Sequence, residues 1–222
     1  MARLKEGFLG AFQGVLGTGE GYIRKGVPMI RAKKRKTKKK ASKLQLAQRQ
    51  KMKVVNDFVK TMTLFVATGF ELIAQNETFT ANNAAKSYQM RNALQGEYPD
   101  IAINYGAAVL TKGTLSPVLN PTAAALENGV QFNWEFEPES DFYNRRAQVM
   151  MLVHAPMLKY DPKKKKEQSF FSLSGARRTE GTDILELPAY FKNTELHLYI
   201  SLIADDRKSI SDSIYVGTTI IT

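Results

Sequence analysis

The stretch ELHLYISLIA, Glu195 to Ala204, is rich in aliphatic, β-branched and aromatic residues, with LELP before it and Asp205-Asp206 directly after it. It reads as a β-strand bounded by turn signals. Five further stretches in the last hundred or so residues read the same way: VQFNWEF (130–136), AQVMMLVHA (147–155), EQSFFSLS (167–174), TDILELP (182–188) and SISDSIYVGTTI (209–220). Six or seven short strands separated by turns over about 100 residues, with inward and outward alternation, predict a β-sandwich. Upstream, LSPVLNPTAAALENG has two prolines and no periodicity, which sets a boundary near Leu115 to Thr122.

The region before that boundary has a different period. Val55, Phe58, Val59, Met62, Phe65, Val66, Leu72 and Ile73 recur in steps of three and four, predicting one long helix from an N-cap at Ser42 to about Ile73. Its first turns, LQLAQRQKMK, are polar and basic, so the second half should dock on a core while the first half projects. A shorter helix is predicted over ANNAAKSYQMRNAL with Gly96 closing it, and IAINYGAAVLTKG (101–113) reads as a strand from the alternation of Ile101, Ile103 and Tyr105. The expected fold class is therefore α+β. A glycine-rich extended segment and basic arm occupy 1–41, a helical region with a strand 42–114, and an all-β sandwich of immunoglobulin-like type 115–222.

The 222 residues carry a net charge of +11, and the charge is unevenly placed. Residues 1–53 hold 16 Lys and Arg against Glu6 and Glu20, a balance of +14, whereas the remainder is −3. Nine of the thirteen residues in RAKKRKTKKKASK are basic: Arg31, Lys33, Lys34, Arg35, Lys36, Lys38, Lys39, Lys40 and Lys43. Such a run stays extended until a polyanion or an acidic surface neutralises it. No aromatic residue is interleaved from Arg31 to Lys51, so base stacking by this arm is not expected. An acidic acceptor is offered by WEFEPESD, with Glu135, Glu137, Glu139 and Asp141 spaced by two. These four acids lack the glycine and the bidentate Glu spacing of a calcium loop.

The N-terminal stretch GFLGAFQGVLGTGEG, 7–21, holds six glycines among large apolar residues. It fails the dinucleotide fingerprint at Tyr22 and the triphosphate loop at Val27. Glu6 and Gln13 interrupt it as a signal peptide, no cleavage site follows, and no apolar run reaches membrane-spanning length. Peripheral membrane contact is not expected, and the expected location is the cytoplasm or the inside of an assembled particle. Gly7, Phe8, Gly10, Phe12, Gly14, Gly17 and Gly21 are read as a close-packing segment that needs a partner surface, because glycine in a regular element costs roughly 0.5–1 kcal/mol that packing must offset. Next, YIRKGVPMIR alternates about Lys25-Gly26 and predicts two extended strands joined by a turn, with Pro28 on an edge.

The chain has no cysteine, which removes disulfides and thiolate metal sites, and only two histidines, His154 and His197. Neither sits in a nucleophile or HExxH motif, and both fall in predicted strands as half-buried or face-exposed residues. No catalytic, cofactor-binding or metal-binding residue is expected. Asn76-Glu77-Thr78 fits a glycosylation acceptor, which means little without an export signal.

Two resemblances follow from these residues. The second half resembles a fibronectin type III or related immunoglobulin-like domain, with Trp134 in the second predicted strand and LELP ahead of LHLYISLIADD, although Leu196 stands where that family places its corner tyrosine. Nearly the whole chain also resembles an uncharacterised family of Bacteroidota proteins, through the glycine-studded start, YIR, the basic linker, QLAQRQKM, LNPT and SDSIYVG. That resemblance implies the architecture and no activity. The function expected is a non-enzymatic structural subunit of a homo-oligomeric ring, tube or fibre, its N-terminal region joining copies. The competing expectation is a nucleic-acid-binding or packaging protein whose basic arm holds a phosphate backbone.

Overall fold

The computed structural model describes residues 3–4, 10–34, 40–136, 146–158 and 166–221. The chain separates into two compact units, Met1–Ser42 and Lys43–Thr222. The first is an antiparallel meander, β1 (Arg3–Leu4), β2 (Phe12–Leu16), β3 (Gly19–Arg24) and β4 (Val27–Ala32), in that spatial order. Lys25 and Gly26 both have positive φ, 48° and 80°, as a two-residue hairpin of the strand-compatible hand requires.

The second unit begins with four helices, α1 (Lys43–Thr61), α2 (Thr63–Gly69), α3 (Glu71–Ala74) and α4 (Ala81–Asn92), and a two-stranded pair, β5 (Leu94–Gln95) and β6 (Ala102–Ile103). Seven strands follow: β7 (Leu119–Leu126), β8 (Gly129–Glu135), β9 (Gln148–Leu158), β10 (Lys166–Ser172), β11 (Thr182–Glu186), β12 (Glu195–Ile203) and β13 (Ile214–Ile220). They form a four-stranded sheet in order β10-β9-β12-β13 and a three-stranded sheet in order β11-β8-β7, antiparallel throughout.

The side chains of β9 and β12 explain how the layers stack. Val149, Met151 and Val153 of β9 and Leu196, Leu198, Ile200 and Leu202 of β12 share a core with Val130, Phe132 and Trp134 of β8. The intervening Met150, Leu152, Tyr199 and Ile203 join a second core with Val55, Phe58 and Val59 of α1 and Phe65 and Val66 of α2. A strand buried on both faces has no solvent side, so AQVMMLVHA and ELHLYISLIA are nearly continuous apolar runs. The helical region and the strand-rich region thus share one core, and the chain between them is tied to the far end of the sequence. Leu110 N–H donates to Ser213 Oγ (2.7 Å), Thr111 Oγ1 donates to Ser211 O (2.7 Å), and Leu115 N–H donates to Ile210 O (3.0 Å).

Three elements differ from the sequence reading. The long helix breaks at Met62 and Phe70, whose φ values are −128° and −114°. Around the first break Thr61 Oγ1 donates to Phe58 O (2.8 Å) and Thr63 Oγ1 to Lys60 O (3.1 Å), competing with the helical ladder. Gly96 does not cap α4, which ends at Asn92; its φ of +79° serves the β5–β6 connection instead. Residues 101–113 contain only the two-residue β6, because a 3-10 turn at Tyr105–Ala107 follows at once. That turn delivers the Tyr105 carbonyl to the buried Tyr199 hydroxyl at 2.8 Å.

One charged group lies in the sandwich core. Arg178 is 2% exposed, and its guanidinium donates to Ser116 O and Pro117 O, each at 2.9 Å. Its carbonyl accepts from Trp134 Nε1 (2.8 Å), so the tryptophan and the arginine together fix the entry into β7.

The docked and projecting halves of α1 are separable by mutation. Phe58 is 1% exposed and Leu44 is 84% exposed. In urea denaturation, Phe58→Ala is expected to lower stability by about 3–5 kcal/mol, and Leu44→Ala to stay within about 0.5 kcal/mol of the parent. Equal effects would contradict this division of the helix.

Candidate functional site

In the N-terminal unit the register decides which side chains share a face. Gly14 pairs with Gly21 and Leu16 with Gly19; Gly21 pairs with Ile30, Ile23 with Pro28, and Gly19 with Ala32. A Cβ built on Gly21 would stand 2.7 Å from ring atoms of Phe12, which places that ring over Gly21 on the same side. One face of β2–β4 therefore presents Phe12, Leu16, Ile23, Pro28, Ile30 and Ala32 with Gly14, Gly19 and Gly21, and carries no charged residue. Leu16 is 64% exposed, Ile23 46% and Ile30 71%.

The opposite face takes the charge. Arg31 pairs with Glu20 (2.8 Å) and its guanidinium sits 5.2 Å from the centre of the Tyr22 ring. Arg24 lies across from Val27, and Val15 beside Glu20. Among the described residues of this unit only Gly21 is buried, so the sheet has no core of its own.

The residues expected to mediate assembly divide accordingly. Phe12, Gly14 and Gly21 stand on the charge-free face. Gly17 occupies the first position of the β2–β3 turn at φ +57°, and Gly10 is half-buried ahead of β2. Gly7 and Phe8 lie outside the described residues. Sequence reasoning passed over Leu16, Ile23 and Ile30; the period-two pattern running through GEGYIR and VPMIRA would have placed the last two once Lys25-Gly26 fixed the hairpin.

Of the residues expected to meet a polyanion, Arg31 is engaged with Glu20, while Lys33, Lys34, Lys40 and Lys43 are exposed. Arg35, Lys36, Lys38 and Lys39 lie outside the described residues. Among the acidic residues, Glu135 ends β8 and accepts from Asn120 Nδ2 (2.8 Å), whereas Glu137, Glu139 and Asp141 lie outside the described residues.

Both histidines are more buried than the sequence reading placed them, because they project from the two doubly buried strands. His154 and His197 are cross-strand partners, 0% and 8% exposed. Thr61 Oγ1 donates to Phe58 O, so Ser169 Oγ donates to Thr61 (2.7 Å) and His154 Nδ1–H donates to Ser169 (2.9 Å). The remaining nitrogen, Nε2, has no hydrogen-bond partner. In this tautomer the imidazole pushes a proton toward Ser169 instead of withdrawing one, which is opposite to the activation of a serine nucleophile. His197 stacks on Tyr105 at 3.8 Å between ring centres and its Nδ1 meets the Tyr215 hydroxyl at 2.9 Å. Among the described residues no group of three or more His, Asp and Glu side chains is placed to hold a metal ion.

Burial, with a lesser contribution from His197, holds the His154 pKa down at about 3, and burial also lowers that of His197. A histidine whose folded pKa is depressed leaves stability intact above its unfolded value near 6.5 and removes it as pH falls toward the folded value. Stability measured by urea denaturation is expected to drop by about 1.4 kcal/mol per pH unit from this residue as pH is lowered from 6 to 4. His154→Gln should flatten that slope; an unchanged slope would contradict the assignment.

No helix among the described residues is long and apolar enough to cross a membrane. No curated protein matches this sequence. The model of a family described as a family of unknown function, DUF6266, matches residues 11–217. That match takes in β2–β4, the helical layer and both sheets of the second unit, and the chain accordingly belongs to DUF6266.

Proposed function

We propose that the chain is a non-enzymatic structural subunit of a homo-oligomeric assembly, in which the N-terminal sheet joins copies and the C-terminal strands form the displayed body. The observation that carries this reading is the charge-free face of β2–β4. Residues 1–53 have a balance of +14, so two copies brought together through most of this region repel. They can meet through a face that holds only apolar residues and glycines, with every charge of β2–β4 turned away. Gly14 and Gly19 let the opposing surface approach closely, while Gly21 is covered by the Phe12 ring. Face-to-face pairing would bury Leu16, Ile23 and Ile30 of both copies, on the order of 5–10 kcal/mol before the cost of association.

The displayed body is read as immunoglobulin-like. Supporting this are the division of seven antiparallel strands into sheets of three and four, the non-sequential neighbours β9-β12 and β8-β11, and a buried tryptophan on the second strand. The helical layer over the four-stranded sheet is an addition to that plan.

The second reading, nucleic-acid packaging, is favoured by the exposed Lys33, Lys34 and Lys40, none of which pairs with a carboxylate among the described residues. It predicts weak sequence preference and a salt slope that collapses when Lys33 to Lys40 are replaced by glutamine.

Light scattering coupled to size exclusion separates the readings. The parent chain is expected to elute as an oligomer at every salt concentration, and Leu16→Asp with Ile30→Asp to yield a folded species of about 25 kDa. A parent that is monomeric throughout would overturn the assembly reading.

A further inference from the structure

The helical layer carries a cationic groove that neither reading above uses. Between α1 and α4 runs a cleft of about 600 Å³ bordered by Lys51, Asn56, Asn83, Lys86 and Arg91. It continues past Asn56 and Lys86 into a recess of about 430 Å³ that adds Lys60. On the other flank of α4 lies a recess of about 370 Å³ walled by Phe70, Ile73, Phe79 and Tyr88. Asn83, Ser87 and Arg91, one helical turn apart along α4, border both the cleft and this apolar recess.

Charge and geometry narrow what fits. No carboxylate lines any of the three spaces among the described residues. Lys51 and Lys86 are half-buried, and neither ammonium pairs with another described residue. Partly desolvated cations gathered in a cleft without counter-charge favour an anion. Arg91 is held at the junction by a 2.6 Å hydrogen bond from Nη2 to Ser87 Oγ. Asn83 and Ser87 are short side chains, so the ridge between cleft and recess is low, and the Tyr88 ring beyond it has Lys112 Nζ 5.9 Å from its centre.

We propose that this groove binds a ligand made of a phosphate and a nucleobase, whether a free nucleotide or a unit of single-stranded nucleic acid. The phosphate sits against Lys51, Lys86 and Arg91, and the base crosses the Asn83–Ser87 ridge to the recess of Phe79 and Tyr88. Stacking on an aromatic ring and an electrostatic groove are the two elements of sequence-tolerant strand binding. The basic arm between Arg31 and Lys51 has only the second.

The test is fluorescence anisotropy of a labelled oligothymidylate on the full chain, with Lys33, Lys34 and Lys40 replaced by glutamine in every sample so that those arm lysines do not contribute. Lys51→Gln with Lys86→Gln is expected to weaken binding about tenfold or more and to reduce the log-log salt slope by about two. Tyr88→Ala should weaken it by a similar factor while leaving inorganic polyphosphate binding unchanged, and Tyr88→Phe should restore it. Competition by ATP identifies the free nucleotide as the source, and competition only by unlabelled oligothymidylate identifies the strand; both support the site. Unchanged binding in the double lysine variant overturns it. So does an equal loss of polyphosphate binding in a Tyr88→Ala protein that still melts like its parent.

Discussion

The second unit depends on a strand pair that has no outside. Eight of the nine residues of β12 are buried, and its neighbour β9 runs apolar on both faces. A sheet in that position must be covered twice, by β7, β8 and β11 on one side and by the helices on the other. An unpaired buried group costs about 1–3 kcal/mol, and most of the polar side chains on the pair find a partner within the protein, Ser201 Oγ and His154 Nε2 being the exceptions. His154 meets Ser169, His197 meets Tyr215, and Tyr199 reaches the Tyr105 carbonyl. These bonds fix the strand β10, the strand β13 and the turn after β6 against the central pair, and Thr61 extends the chain to the point where α1 gives way to α2. The break in the helix and the buried histidine network are thus two sides of one requirement.

The N-terminal unit is built on the opposite terms. Its strands are joined by two-residue hairpins at Gly17-Thr18 and Lys25-Gly26, with an ion pair across β3 and β4. Its described residues form a single layer: three large apolar side chains stand 46% exposed or more on a face without charge. Hydrophobic burial scales with area removed from water. A single sheet removes little, and this unit gains by finding a surface to cover that face. In the proposed assembly, its positive charge disfavours other approaches of one copy to another.

The sequence was most legible where a local rule suffices. The hairpin at Lys25-Gly26 could be read to the residue because both turn positions need positive φ and the flanking strands alternate. Six of the seven C-terminal strands are legible as runs, whereas β7 lies in the proline-bearing stretch read as a boundary; the expectation of an inward and an outward side hid the packing of the helices on the four-stranded sheet. The absence of polar alternation in AQVMMLVHA and ELHLYISLIA is the signal for burial on both faces. The breaks at Met62 and Phe70 interrupt an apolar stripe that continues on either side, so periodicity alone passes over them. His154 was illegible for a different reason: Ser169 and Thr61 are brought to it by tertiary pairing, and no spacing along the chain announces them. The two-sided character of the N-terminal sheet is written in the alternation of GEGYIR and VPMIRA, which sets Ile23 and Ile30 on one face, whereas the glycine spacing points only to close packing.

The absence of cysteine in the chain allows a direct test of the face proposed to meet another copy. Adjacent positions on β4 point to opposite sides, so Ile30→Cys and Met29→Cys sample the charge-free face and the charged face from neighbouring residues. Under mild oxidation Ile30→Cys is predicted to give a disulfide-linked species of twice the chain mass, and Met29→Cys to remain unlinked. Equal cross-linking of the two variants, or none in either, would contradict the claim that copies associate through the charge-free face.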